Sequence, residues 1–168
     1  MELDPNFAYA YAALGQAHYT LYEVSVALKD FRRAFELREK ISQRERFYIE
    51  GVYYFLTGDL QQSIQTYEEW AKAYPRDYQP HNYLSRRLRS TGEYDRAAAE
   101  ARQALALTRD SASVYSSLML ASIRLNRLND AKAAFEEAQA RKLDGTICTW
   151  QGITWRFWKV TLAVWLSK

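Results

Sequence analysis

Three stretches of this chain are written to one plan: Thr57–Trp70 (TGDLQQSIQTYEEW), Thr91–Ala104 (TGEYDRAAAEARQA) and Leu125–Ala138 (LNRLNDAKAAFEEA). Gly58, Gly92 and Asn126 follow one another at a constant 34-residue step. Gly and Asn tolerate positive φ at least cost, so each marks a helix end where the chain turns back. Leu21–Ala34 (LYEVSVALKDFRRA) is a fourth copy, with Tyr22 at the turn after a two-residue change of phase. After each turn one face repeats. Ala27, Phe31 and Ala34 lie four then three residues apart, as do Ala131, Phe135 and Ala138. Ser63, Tyr67, Trp70 and Ala97, Ala101, Ala104 fill the same places in the middle copies. A small residue at the first place lets paired helices approach, and an aromatic at the second fills the gap above. A bulky residue at Ala27 or Ala131 is expected to overpack by about 1–3 kcal/mol.

Working outward, four antiparallel helix pairs are predicted over about 5–20 with 24–40, 43–57 with 60–73, 78–91 with 94–107, and 111–125 with 128–141. Asp4-Pro5 reads as a helix start, with proline where its missing N–H costs nothing. Ser42 and Glu45 have the spacing of a capping box. Pro75 ends one helix, and Asp77 and Asp110 are expected N-caps of the helices that follow. The fold class is therefore all-α, a solenoid of four helical hairpins.

Composition agrees. The 168 residues are 48% hydrophobic and 26% charged, an ordinary globular balance, and only three prolines and six glycines disfavour a turn-rich β fold. A net charge of +3 does not by itself call for nucleic acid. The single cysteine, Cys148, excludes an internal disulfide and a cysteine zinc site, so a reducing, cytoplasmic setting is expected. The start MELDPNFAYA lacks a signal peptide's basic and apolar segments. The longest apolar run, near Val160–Leu166, is far short of the roughly 20 residues of a membrane span.

The units resemble the tetratricopeptide repeat, a 34-residue helix–turn–helix patterned W-x2-L-G-x2-Y, A-x3-F and P. Tyr11, Leu14, Gly15 and His18 stand at the first block of the first unit, before Ala27 and Phe31. Phe47, Glu50, Gly51 and Tyr54 lead to Ser63, Tyr67 and Pro75; His81, Leu84, Ser85 and Leu88 to Ala97 and Ala101; Tyr115, Leu118, Met119 and Ser122 to Ala131 and Phe135. Repeats are read at about 8–41, 44–77, 78–111 and 112–145, an array over 1–144. The resemblance implies a right-handed superhelix whose first helices line a concave groove. On that face stand Tyr9, Ala12, Gln16 and Tyr19, then Tyr48, Val52 and Phe55, then Asn82, Arg86 and Arg89, then Ser116, Leu120 and Arg124. The groove is expected to be aromatic at its N-terminal end and basic further on, suiting a peptide with apolar and acidic anchors. The two-carboxylate clamp some relatives use for chaperone tails is missing. Its places hold Ala12, Gln16, Ile49, Gln79 and Tyr83 in one register, and Tyr48, Val52, Tyr83, Ser113 and Ser117 in the next.

Residues 145–168 break the pattern, and their last stretch, TWQGITWRFWKVTLAVWLSK, carries Trp150, Trp155, Trp158 and Trp165. Tryptophan has one codon, so the shifted reading frame is tightly bounded. That frame permits Phe-Leu-Glu-Gly-Asp at its end, against Phe55-Leu56-Thr57-Gly58-Asp59, with glycine or serine straddling Lys159 and Val160. One expectation is that residues after about 146 are an out-of-frame remnant of a fifth repeat. The alternatives are an atypical C-terminal aromatic helix capping the array, through which copies could associate end to end, or a membrane-surface helix. Arg156, Lys159 and Lys168 are few cations for the last of these. The opening "ELDPNFAYAYAALG" reads like a junction between repeats, so the chain is expected to be a fragment of a longer array.

No catalytic, cofactor-binding or metal-binding set is assigned. His18 and His81 occupy repeat-pattern positions, and no H-x3-H, cysteine pair or calcium loop is present. Glu68-Glu69 and Glu136-Glu137 read as helix-surface pairs, and Arg86-Arg87, Arg89 and Arg124 as a basic cluster on either a solvated face or the groove. The leading expectation is a non-catalytic protein–protein interaction scaffold, with no nucleic-acid or membrane partner. The competing one is a severed regulatory arm of a bacterial signalling protein, because Ser42–Asp77 resembles repeat arrays attached to bacterial serine/threonine kinases and transcriptional regulators. Single-stranded RNA on the aromatic and arginine groove would instead show strong salt dependence.

Overall fold

A computed structural model describes residues 7–143 of the chain. Eight α-helices follow in order: α1 (Ala8–Thr20), α2 (Val24–Glu36), α3 (Gln43–Leu56), α4 (Leu60–Ala73), α5 (Tyr78–Ser90), α6 (Tyr94–Leu107), α7 (Ala112–Arg124) and α8 (Leu128–Ala140). Among the described residues there is no strand. Helices α1/α2, α3/α4, α5/α6 and α7/α8 pair as hairpins, and each hairpin stacks on the next in chain order. The start predicted at Asp4-Pro5 and the whole C-terminal tail lie outside the described residues.

The turns are where the 34-residue spacing placed them. Tyr22, Gly58, Gly92 and Asn126 have φ of 63°, 89°, 85° and 57°. In each turn the next N–H bonds a carbonyl five residues back: Glu23 to His18, Asp59 to Tyr54, Glu93 to Leu88 and Arg127 to Ser122, at 2.8–2.9 Å. This pairing satisfies carbonyls the helix leaves free. Lys142, with φ 60°, ends α8 in the same way, and the Leu143 N–H reaches the Ala138 carbonyl at 2.9 Å.

Helix starts are partly as predicted. Ser42 Oγ accepts from the Glu45 N–H while Glu45 Oε2 accepts from the Ser42 N–H, completing the capping box. The Asp77 carboxylate accepts from the Gln79 N–H and caps α5. Asp110 is not a cap: Ser111 holds that place without a side-chain bond, and the Asp110 carboxylate turns outward to Arg141, 3.5 Å away. The second helix of the first pair also stops short of the predicted residue 40. It ends at Glu36, and Arg38–Lys40 form one 3-10 turn.

That turn explains the change of phase. The connection from α2 to α3 covers 37–42, whereas those from α4 to α5 and α6 to α7 cover 74–77 and 108–111. The two extra residues sit in this joint. Arg38 fills it, its guanidinium 3.8 Å from the Phe35 ring centroid and 3.0 Å from the Glu50 carboxylate. Phe35 in turn stacks on Tyr53 of α3 at 4.3 Å.

The core runs along the helix interfaces. Ala27, Ser63, Ala97 and Ala131, the small residues of the repeat, are all fully buried. Close approach shows in the Ser63 hydroxyl, which donates to the Gly51 carbonyl of the paired helix at 2.7 Å. Phe31, Tyr67 and Trp70 are fully buried above these contacts, and Phe135 nearly so.

Candidate peptide-binding groove

The first helices present a surface that changes character along the chain. On α1 and α3, Tyr9, Tyr19, Tyr48 and Phe55 are each at least partly exposed. Tyr19 and Phe55 meet edge to face at 6.2 Å, so neighbouring hairpins continue one aromatic surface. Tyr48 sits among rings: 6.1 Å from Phe31 and 5.7 Å from Tyr83 of α5. Tyr83 stacks on Tyr67 at 5.1 Å and lies 6.1 Å from Trp70. A cleft of roughly 310 Å³ opens beside this cluster, lined by Tyr9, Arg44, Glu45, Tyr48, Trp70, Gln79 and Tyr83. Arg44 and Glu45 are held, Arg44 by Asp77 at 2.6 Å and Glu45 by the capping box, so the rings shape the cleft.

Of the sequence-predicted groove residues, Gln16, Arg86, Arg89, Leu120 and Arg124 also keep exposed surface. Ala12, Val52, Asn82 and Ser116 are buried. Asn82 is also fully engaged. Its Nδ2 donates to Ser113 Oγ and its Oδ1 accepts from Ser117 Oγ, both at 2.8 Å, tying α5 to α7. Tyr48 Oη reaches Gln16 Oε1 at 3.3 Å, a weaker tie between α3 and α1.

The basic region differs most from the sequence reading. Within Arg86-Arg87, one arginine keeps exposed surface and the other goes inside. Arg87 is 4% exposed, and its guanidinium carbon lies 3.4 Å from the Phe55 ring centroid. Burial brings its pKa down to about 10, with Tyr67 and Arg86 the next influences. Arg89 is shifted the same way, by burial and then by the charges of Arg86 and Arg124. Arg87, Arg89 and Arg124 make no ion pair among the described residues. The missed signal is local: Leu84, Arg87 and Leu88 share the three- and four-residue spacing of a buried stripe. The arginine was read by type rather than by place.

The histidines do not converge with other reactive groups. His18 Nδ1 bonds Asp30 at 2.6 Å and His81 Nδ1 bonds Glu100 at 2.7 Å, each pairing a first helix with its own second helix. Among the described residues, no group of three or more His, Cys, Asp or Glu is arranged to hold a metal ion. No helix described is long and apolar enough to cross a membrane.

Comparison with known proteins fits this geometry. A tetratricopeptide-repeat family model matches residues 7–45, the first hairpin and its joint to the second. No curated protein matches the chain. Among solved structures, MamA superposes with a TM-score of 0.59 at 19% identity, over 85% of this chain and 82% of that one. TTC0263, a thermophilic TPR protein in Thermus thermophilus, reaches 0.64 at 20% identity, over 79% and 73%. MamA 41-end from Desulfovibrio magneticus RS-1 reaches 0.60 at 15%, over 82% and 76%. At such identities the likeness is one of fold. The described residues thus form an all-α superhelical solenoid with the fold of these structures, and residues 7–45 match the tetratricopeptide repeat itself.

Proposed function

We propose that the chain is a non-catalytic scaffold whose concave face binds a peptide segment of another protein, with apolar anchors over α1 and α3 and acidic ones over α5 and α7. The observation that carries this is the pairing of a continuous aromatic surface with arginines that lack carboxylate partners. Tyr19, Tyr48 and Phe55 offer rings at the first two hairpins, and Arg87, Arg89 and Arg124 make no ion pair among the described residues. Many arginines on the outer faces are paired, as at Arg96–Glu68, Arg102–Asp130 and Arg109–Glu137. A groove whose cations stand apart from the protein's own acids attracts acids from outside. We place this activity in the cytoplasm.

The test is amide-resonance mapping during titration with a random acidic–aromatic peptide library, followed by single binders. Shifts should concentrate at Tyr19, Tyr48, Phe55, Arg86 and Arg89. The double variant Arg86→Glu/Arg89→Glu should weaken each binder at least tenfold. Shifts confined to α2, α4, α6 and α8, or unchanged affinity in the double variant, would refute the assignment.

A further inference from the structure

Arg87 stands where the fold has no use for a charge. The equivalent place in the other hairpins holds Ala17, Tyr53 and Ala121. Its Nε is enclosed and has no hydrogen-bond partner, and the guanidinium makes no ion pair among the described residues. Tyr67 Oη is likewise enclosed, and its hydrogen-bonding neighbour is Arg87 itself. The two side chains act on one another electrostatically, and Phe55 walls the guanidinium on one face. The largest further influences on Arg87 are Arg86, Tyr19 and Tyr83: one cation and two further phenols. A guanidinium removed from water without a counter-charge is costly, and the usual remedy is a paired carboxylate.

We propose that Arg87 and Tyr67, walled by Phe55, form a carboxylate subsite in the floor of the groove, completed only when a peptide partner supplies the acid. The assignment rests on the concave-face reading and adds the group that is recognised. A planar guanidinium fork meets the two oxygens of a carboxylate edge-on, and the phenol donates a third hydrogen bond. Arg89 and Arg124 guide the acid inward through their field. A carboxylate suits this donor set better than a phosphate, whose three oxygens and greater charge need more donors than one fork and one phenol.

The experiment uses the full chain and follows the arginine Nε–Hε resonances. Arg87 is identified by the upfield displacement that the Phe55 ring imposes. Sodium acetate is titrated against equal sodium chloride, then three short peptides: a doubly capped Ala-Leu-Glu-Leu-Ala, its Gln counterpart, and the Gln peptide with a free C-terminus. Acetate should move the Arg87 resonance saturably, and chloride should not. Among the peptides, the Glu side chain or the free terminus should move it, which identifies the source of the carboxylate, and the capped Gln peptide should leave it in place. In Arg87→Met, carboxylate-peptide affinity should fall at least tenfold while the unfolding temperature holds or rises, since an unpaired buried charge has been removed. An Arg87 resonance that ignores both acetate and the carboxylate peptides overturns the subsite, as does an Arg87→Met chain that unfolds earlier yet binds as tightly. If peptides bind the groove without disturbing Arg87, the scaffold stands and the subsite falls. If Arg87→Met does not fold, the titrations of the natural chain still decide.

Discussion

Gly51 carries no side chain because the Tyr67 ring occupies the space one would fill; an added Cβ there would collide with Cε1 and Cζ. Gly15 meets Phe31 the same way, 2.7 Å from Cδ2 to the position of a Cβ. Both pairs join the first-block glycine of a hairpin to the aromatic of its second helix, so the repeat pattern is a statement about volume. Gly51→Ala should destabilise by about 1–3 kcal/mol, read as a lower urea midpoint. Paired with Tyr67→Leu it should lose less than the two single changes added together. Tyr22 gives the converse case. It holds φ 63° with its side chain 76% exposed, so a side chain is strained there with little contact to offset it. Tyr22→Gly should stabilise by up to about 1 kcal/mol, read as a raised thermal midpoint. Buried phenols set the alkaline limit. Burial raises the pKa of Tyr48, Tyr67 and Tyr83 above the usual value near 10. The folded chain therefore holds protons that the unfolded chain releases above pH 10. Their contribution is whole below that pH and is lost as pH climbs past it. Arg87, with its pKa lowered to about 10, has the opposite sign and gains stability over the same range. Arg89 is lowered in the same direction, and three phenols against two guanidiniums should leave a net loss. The part of the phenolate absorbance at 295 nm that these three rings contribute should appear in a late step, together with loss of helical circular dichroism.

Helix limits were legible wherever a residue type has one use. The turns at Gly58, Gly92 and Asn126 and the cap at Ser42 could be read because positive φ and a free N–H admit few solutions. Ser42→Ala should cost about 1 kcal/mol, measured by urea unfolding. Asp110 misled because an aspartate near a helix start has two outlets. Here the partner Arg141 lies 31 residues along the chain, and no local pattern reveals it. The acids Glu68 and Glu137 were read as plain surface for the same reason. They belong to a row of pairs along the second helices: Glu68 with Arg96, Arg102 with Asp130, and Arg109, just past the end of α6, with Glu137. Each pair spans 28 residues. These pairs are exposed, and each is worth at most about 1 kcal/mol. Raising salt from about 0.05 to 1 M should shift the urea midpoint only slightly, which would place the stacking energy in the core beneath them.

Across the whole molecule, architecture was more legible than recognition. A fold built by repetition states its rule several times, so Ala101 in place of an aromatic, or Ser85 in place of a glycine, does not hide it. A groove states nothing twice. Asn82 was assigned to the groove face yet is consumed by Ser113 and Ser117, and Arg87 was left off it yet is buried against Phe55, itself a groove candidate. Both depend on which neighbour arrives from another hairpin. The joint between α2 and α3 has a further bearing on engineering. Hairpins 43–73, 78–107 and 112–140 are linked by connectors of one length and could be shuffled as cassettes. The leading hairpin could not, because its longer splice carries Arg38 and seats Phe35 on Tyr53. A graft that trims this splice to the common length would strand both rings, and a designer recombining the array should cut downstream of Ile41 instead.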